Sequence, residues 1–174
     1  MPNWCENNLI IRGSRKELDK FKKDMGEKLL DARKIIPYPE KYDKLDIISR
    51  KWYKKADEYA RKVGNDAREW YCGDKLTKKQ REDFYKENGK EKKDGFNSGG
   101  YEWCYENWGT KWGFCDVVIR YENEDEIYYT FETAWSPPLP LIDEMSAIYP
   151  KLEIVLNYVE EGEQFSGGVK YISE

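Results

Sequence analysis

The 174-residue sequence contains no histidine. That removes the commonest general base at neutral pH, the Ser-His-Asp and Cys-His nucleophiles, and every imidazole metal ligand. Any catalysis must then rest on carboxylates, lysine, tyrosine or cysteine with shifted pKa values, which weighs against an enzyme. Cysteine is sparse as well: Cys5, Cys72, Cys104 and Cys115 show no CxxC spacing, so redox and iron–sulfur patterns are missing. A zinc site would need thiolates alone or thiolates with carboxylates, and no metal or cofactor is expected. There is no secretory leader pattern, and reduced thiols in the host cytosol are the expectation. No apolar run approaches the roughly 20 residues that cross a bilayer.

What the chain does have is rings and charge. Aromatic residues make up 16% of it, and charged ones 37%. A polar chain with that many rings builds its core from a few large side chains and is not disordered. The formal charge of −4 is unevenly spread: residues 1–36 balance to +3, residues 37–100 to +4, and residues 101–174 to −11. Such asymmetry presents two faces of opposite sign to partners, or lets the two parts of the chain attract each other.

The pattern predicts a strand over residues 7–12, where Leu9, Ile10 and Ile11 form an apolar run closed by Gly13. Ser14-Arg-Lys-Glu17 is a capping box, and the helix it opens places Leu18, Phe21 and Met25 on one face before Gly26. From Pro37 the character changes. Leu45, Ile48, Trp52, Ala56, Tyr59 and Val63 recur at helical spacing up to a Gly64-Asn65 stop. A second capping box, Thr77-Lys-Lys-Gln80, opens a lysine-rich helix anchored by Phe84, and residues 94–100 are a loop. Residues 37–100 therefore read as a helical insertion in a single domain.

Beyond it, Tyr101, Cys104, Tyr105 and Trp108 share one face of a short helix capped at Gly109. Two alternating strands, residues 114–121 and 126–134, flank a polar turn and form an antiparallel hairpin. A helix enters at Ser136-Pro-Pro138 with Leu141, Ile142, Met145 and Tyr149 on its apolar face, a strand covers residues 151–159, and an edge strand covers residues 164–172. Without the insertion the order is β-α-β-β-α-β. The fold class is α+β, a ferredoxin-like antiparallel sheet with a large helical insertion after the first helix and an extra C-terminal strand.

Four stretches then coincide: Met1-Pro-Asn-Trp-Cys5, Trp108-Gly-Thr-Lys-Trp112, Phe131-Glu-Thr-Ala-Trp-Ser-Pro-Pro138, and Tyr158-Val-Glu-Glu-Gly162 with Phe165-Ser-Gly167. Over residues 1–25 and 101–167 the chain resembles the phage- and plasmid-borne YubB ferredoxin-like family. The resemblance implies a ferredoxin-like domain carried on a mobile element, in a setting where accessory proteins counter host defences. It implies no activity.

The candidate ligand site is Trp108, Thr110, Lys111 and Trp112, with Trp135 at a lip and Tyr101 beside it. Lys111 offers a point charge to phosphate, Thr110 a hydroxyl, and the tryptophans stacking surfaces for a base. The plainer alternative is that these rings cap a helix and fill the core. Glu132 is either a buried acid–base group or a solvent-facing strand residue. Tyr128 and Tyr158 would be base-stacking rings if the sheet bound RNA, but its acidic surroundings repel phosphate.

The expected function is a non-enzymatic mobile-element accessory protein, in counter-defence, binding a host defence protein or sequestering a nucleotide-like small molecule. The alternatives are a single-stranded nucleic-acid binder using the basic insertion, and a carboxylate- or lysine-dependent enzyme acting on nucleotides.

Overall fold

The computed structural model describes residues 3–64, 76–162 and 164–172. Met1, Pro2, Asn65 and Cys72, which figure in the sequence reading, lie outside the described residues. Strand β1 spans Trp4–Arg12, beginning five residues before the apolar run at Leu9 and three before the expected start at residue 7. Its early part was illegible because the polar Asn7 occupies an inward position: Cys5 and Asn7 are buried on the same face as Leu9 and Ile11. Asn7 is accommodated by donating through Nδ2 to the Cys5 carbonyl (2.8 Å) and to Thr133 Oγ1 (2.9 Å).

Helix α1, Arg15–Met25, starts at Ser14, whose Oγ accepts from the Glu17 amide, and closes at Gly26 with φ 69°. Only the serine half of the expected capping box forms, since the Glu17 carboxylate lies 3.9 Å from the Lys151 ammonium. Helix α2, Ala32–Ile35, is a single turn capped by Asp31. It escaped the sequence reading because four residues carry no periodic pattern.

The remaining strands are β2 (Cys115–Glu122), β3 (Glu126–Ala134), β4 (Glu153–Glu160) and β5 (Phe165–Tyr171), with helix α6 (Leu139–Ile148) between β3 and β4. All pairings are antiparallel in the order β2-β3-β1-β4-β5. The first four strands have the ferredoxin-like order, and β5 extends the β4 edge. Leu9, Ile11, Ile127, Tyr129, Ile154 and Leu156 are fully buried on one face of the sheet. Phe21 of α1 meets Tyr129 edge-on (centroids 6.4 Å) and Tyr149, just past α6, at 5.1 Å. Hydrophobic burial of this layer holds the sheet to its helices.

The chain divides into two compact units, Met1–Tyr38 with Tyr101–Glu174, and Pro39–Gly100. In the second, α3 (Glu40–Lys62) and α4 (Lys78–Asn88) pack antiparallel. Phe84 stacks near Tyr59 (5.3 Å) and Trp52 (5.4 Å), and Trp52 Nε1 donates to the Gly89 carbonyl (3.1 Å). The Thr77–Gln80 capping box is made in both directions. The segment after α4 comes back to the start of α3, where Asp46 Oδ1 accepts from the amides of Gly95 (2.8 Å) and Phe96 (3.0 Å).

Candidate functional site

Helix α5, Gly100–Trp108, leads into the tryptophan-rich loop. Cys104 and Trp108 are buried, but Tyr105 is 54% exposed, so the inward face is narrower than the i, i+3, i+4, i+7 pattern predicted. Trp108 is committed to the interior. Its ring packs against Trp103 (5.5 Å) and Tyr38 (5.8 Å), and its Nε1 donates to the Ile36 carbonyl (2.9 Å).

The loop that follows is bracketed by two left-handed glycines, Gly109 (φ 74°) and Gly113 (φ 84°). Both φ values suit glycine, and a Cβ would lie 2.5 Å from Pro140 Cδ at the first position and 2.8 Å from Ala32 Cβ at the second. Between them Thr110 is fully buried and donates through Oγ1 to the Ala134 carbonyl (3.0 Å). Ser136 Oγ donates to the Gly109 carbonyl (2.6 Å), and Thr133 Oγ1 donates to the Ser136 carbonyl (2.8 Å). Asn7 closes the series by donating to Thr133. These hydrogen bonds staple the loop to the end of β3, so Trp108 and Thr110 act as supports and do not line an open site.

The stapled loop turns Lys111 outward into a set of rings. Its ammonium sits 4.6 Å from the Trp112 centroid, 4.8 Å from Trp135 and 5.8 Å from Tyr101. Each such contact is worth about 0.5–1 kcal/mol at an exposed position. Trp4 joins from β1, 6.0 Å from Trp112, while Tyr101 meets Trp135 edge-on at 6.0 Å. Trp4, Trp112 and Trp135 remain 37%, 42% and 37% exposed. Of the six predicted site residues the structure therefore brings together Tyr101, Lys111, Trp112 and Trp135, and adds Trp4.

Trp4 was missed because its place depends on strand register. It pairs with Ala134, which sets it beside Trp135. The Trp135 amide donates to the Asn3 carbonyl (2.9 Å), and this residue holds φ 72°. A large side chain in that region costs about 1–2 kcal/mol. The strain falls on the residue that turns its ring toward Lys111, as is common where a site is held in one geometry.

The other chemistry weighed from sequence lies elsewhere. Burial pushes the Cys5 thiol up to about 11, and burial also raises Cys115, so neither is a thiolate at neutral pH. Among the described residues no group of Cys, Asp and Glu is placed to hold a metal ion. Glu132 is partly exposed on the sheet face away from Tyr129, opposite Glu6 in the β1–β3 register. It borders a concavity of about 540 Å³ with Glu6, Asp116, Arg120 and Tyr128. Tyr128 donates there to Asn8 Oδ1 (2.5 Å). Tyr158 pairs with Asn7 while Tyr128 pairs with Ile10, which puts the two rings on opposite faces. They cannot form a common base-stacking platform.

Comparison with known proteins supports the fold. Residues 108–174 match the family model described as the ferredoxin-like domain in Api92-like protein. The crystal structure of a protein api92 from Yersinia pseudotuberculosis is similar over 98% of this chain and 94% of that one, with a TM-score of 0.54 and 12% identity. No curated protein matches the sequence.

Proposed function

We propose that the chain is a non-enzymatic binding protein that takes a planar, anionic, nucleotide-like small molecule at the Lys111 site. The observation that carries this reading is an ammonium held against three rings with no carboxylate of its own. Residues 101–174 contain four cations. Lys151 and Lys170 face Glu17 and Glu153, and Arg120 donates to Thr130 Oγ1 (2.7 Å). Lys111 makes no ion pair among the described residues, so its charge is left for an outside anion. The exposed faces of Trp4 and Trp112 offer stacking surface next to it. The raised thiols, and the carboxyls of Glu122 and Glu153 held low by Lys22, Arg15, Lys170 and Arg12, leave these groups far from the values that proton transfer at neutral pH needs. The resemblance to the YubB family gives counter-defence on a phage or plasmid as the setting, by sequestering such a ligand from the host.

Titration of purine mononucleotides into the protein, followed by tryptophan fluorescence, tests the reading. Saturable quenching is expected, and Lys111→Ala should weaken it about 10- to 100-fold, the range for losing a hydrogen bond to a charged group. Absence of quenching at millimolar nucleotide, or an unaffected Lys111→Ala, would overturn it.

A further inference from the structure

A second surface, independent of the Lys111 site, is carried by the outer face of α3. The Pro39–Gly100 unit holds 17 lysines and arginines against 13 acidic residues, and much of that excess sits on one helix. Arg50, Lys51, Lys54, Lys55, Arg61 and Lys62 are all exposed. At the N-terminal end of α3, Lys44 is neutralised by Glu40 (2.9 Å). None of the six later cations makes an ion pair among the described residues; Arg50 donates only to the Asp46 carbonyl (3.3 Å).

Their spacing is regular. Arg50, Lys54 and Arg61 follow i, i+4, i+11, and Lys51, Lys55 and Lys62 repeat that pattern one residue on. At about 100° per residue the two sets form parallel ridges on adjacent flanks of the helix, over a length of roughly 18 Å. The buried Ser49, Ala56 and Ala60 lie on the opposite side. Between the ridges runs a narrow strip that includes Glu58 and the exposed Ile47.

We propose that this face of α3 docks in the major groove of duplex DNA, each ridge facing one phosphate strand. The fit follows from size and charge. A helix with its side chains is about 10–12 Å across, the major groove of B-form DNA is about 12 Å wide, and the groove walls are phosphate. Single strands are bound by stacking bases on aromatic rings, and here Trp52 and Tyr59 are spent against Phe84, with no aromatic residue on the ridges. Duplex RNA is excluded by shape, because its major groove is too deep and narrow for a helix. Glu58 lies between the ridges, toward the groove floor, where a carboxylate meets base edges and not phosphates.

Fluorescence anisotropy of a labelled mixed-sequence 20-base-pair DNA duplex with the full-length protein tests this. Six phosphate contacts predict a log–log salt slope near −5, a loss of about 10³ in affinity between 50 and 200 mM salt. The triple variant Lys51→Ala, Lys55→Ala, Lys62→Ala removes one ridge of exposed side chains and should flatten the slope by about 3. Its circular dichroism should match the parent. The proposal is overturned by no binding at 50 mM salt, by an unchanged slope in the triple variant, or by tighter binding of single-stranded DNA or duplex RNA of the same sequence.

Discussion

Replacing Phe84 by alanine should cost about 3–5 kcal/mol and unfold the Pro39–Gly100 unit while leaving the sheet intact. Phe84 is 1% exposed, and α4 has no other fully buried side chain. It touches Trp52, Tyr59 and Tyr85, so truncation removes the apolar contact that holds α4 against α3. Among the described residues of this unit, the other buried side chains are small or peripheral: Ser49, Ala56, Ala60 and Leu76. Among the described residues, none of these four is large enough to fill the void, so the loss falls at the upper part of the usual range. Hydrogen exchange read by mass spectrometry separates the units. Amides of residues 40–62 and 78–88 should exchange rapidly, while those of β1, β3 and β4 keep parental protection. Parental protection in both units would contradict the packing described for α3 and α4.

The second large effect is expected at Gly109. An alanine there must hold φ 74°, at a cost of about 1–2 kcal/mol, and its Cβ would lie 2.5 Å from the Pro140 ring and 3.2 Å from the Pro137 carbonyl. Overpacking against a rigid ring adds about 1–3 kcal/mol. The ring cannot turn aside as a flexible side chain would, and the loop itself is the part that must move. Gly109→Ala should therefore lower Tm by several degrees and release the hydrogen bonds from Ser136 and Thr110 that aim Lys111. Thermal unfolding together with the tryptophan emission maximum reads both consequences. An unchanged melting temperature would show that the loop has room which the structure does not contain.

Much of the fold was legible because local signals agreed with the tertiary outcome. Strand β3 appears over the same residues, 126–134, that its alternation marked, and Ser14, Gly26 and Thr77 act at the helix ends where they were placed. Local pattern does not encode a polar residue turned inward by a distant partner, as Asn7 is by Thr133. Cys5 and Asn7 extend β1 because Thr133 waits across the sheet, 126 residues from Asn7. At the candidate ligand site two roles share one stretch for the same reason. Trp108-Gly-Thr-Lys-Trp112 looks like one motif, yet Trp108 and Thr110 turn in while Lys111 and Trp112 turn out. The two left-handed glycines that produce this split are silent in a pattern of apolar residues. Trp4 joins only through its pairing with Ala134, which no local signal in either segment encodes.

The Lys111 ammonium is caged by rings and available to an anion. Carbon-resolved proton NMR of the lysine ε-methylenes, recorded while adenosine monophosphate is added, observes that group directly. Ring currents from Trp112 and Trp135 should shift the Lys111 resonance upfield of every other lysine, and the nucleotide should move it in a saturable manner that Trp112→Ala diminishes. A Lys111 resonance at the ordinary lysine position, indifferent to nucleotide, would contradict both the cage and its use.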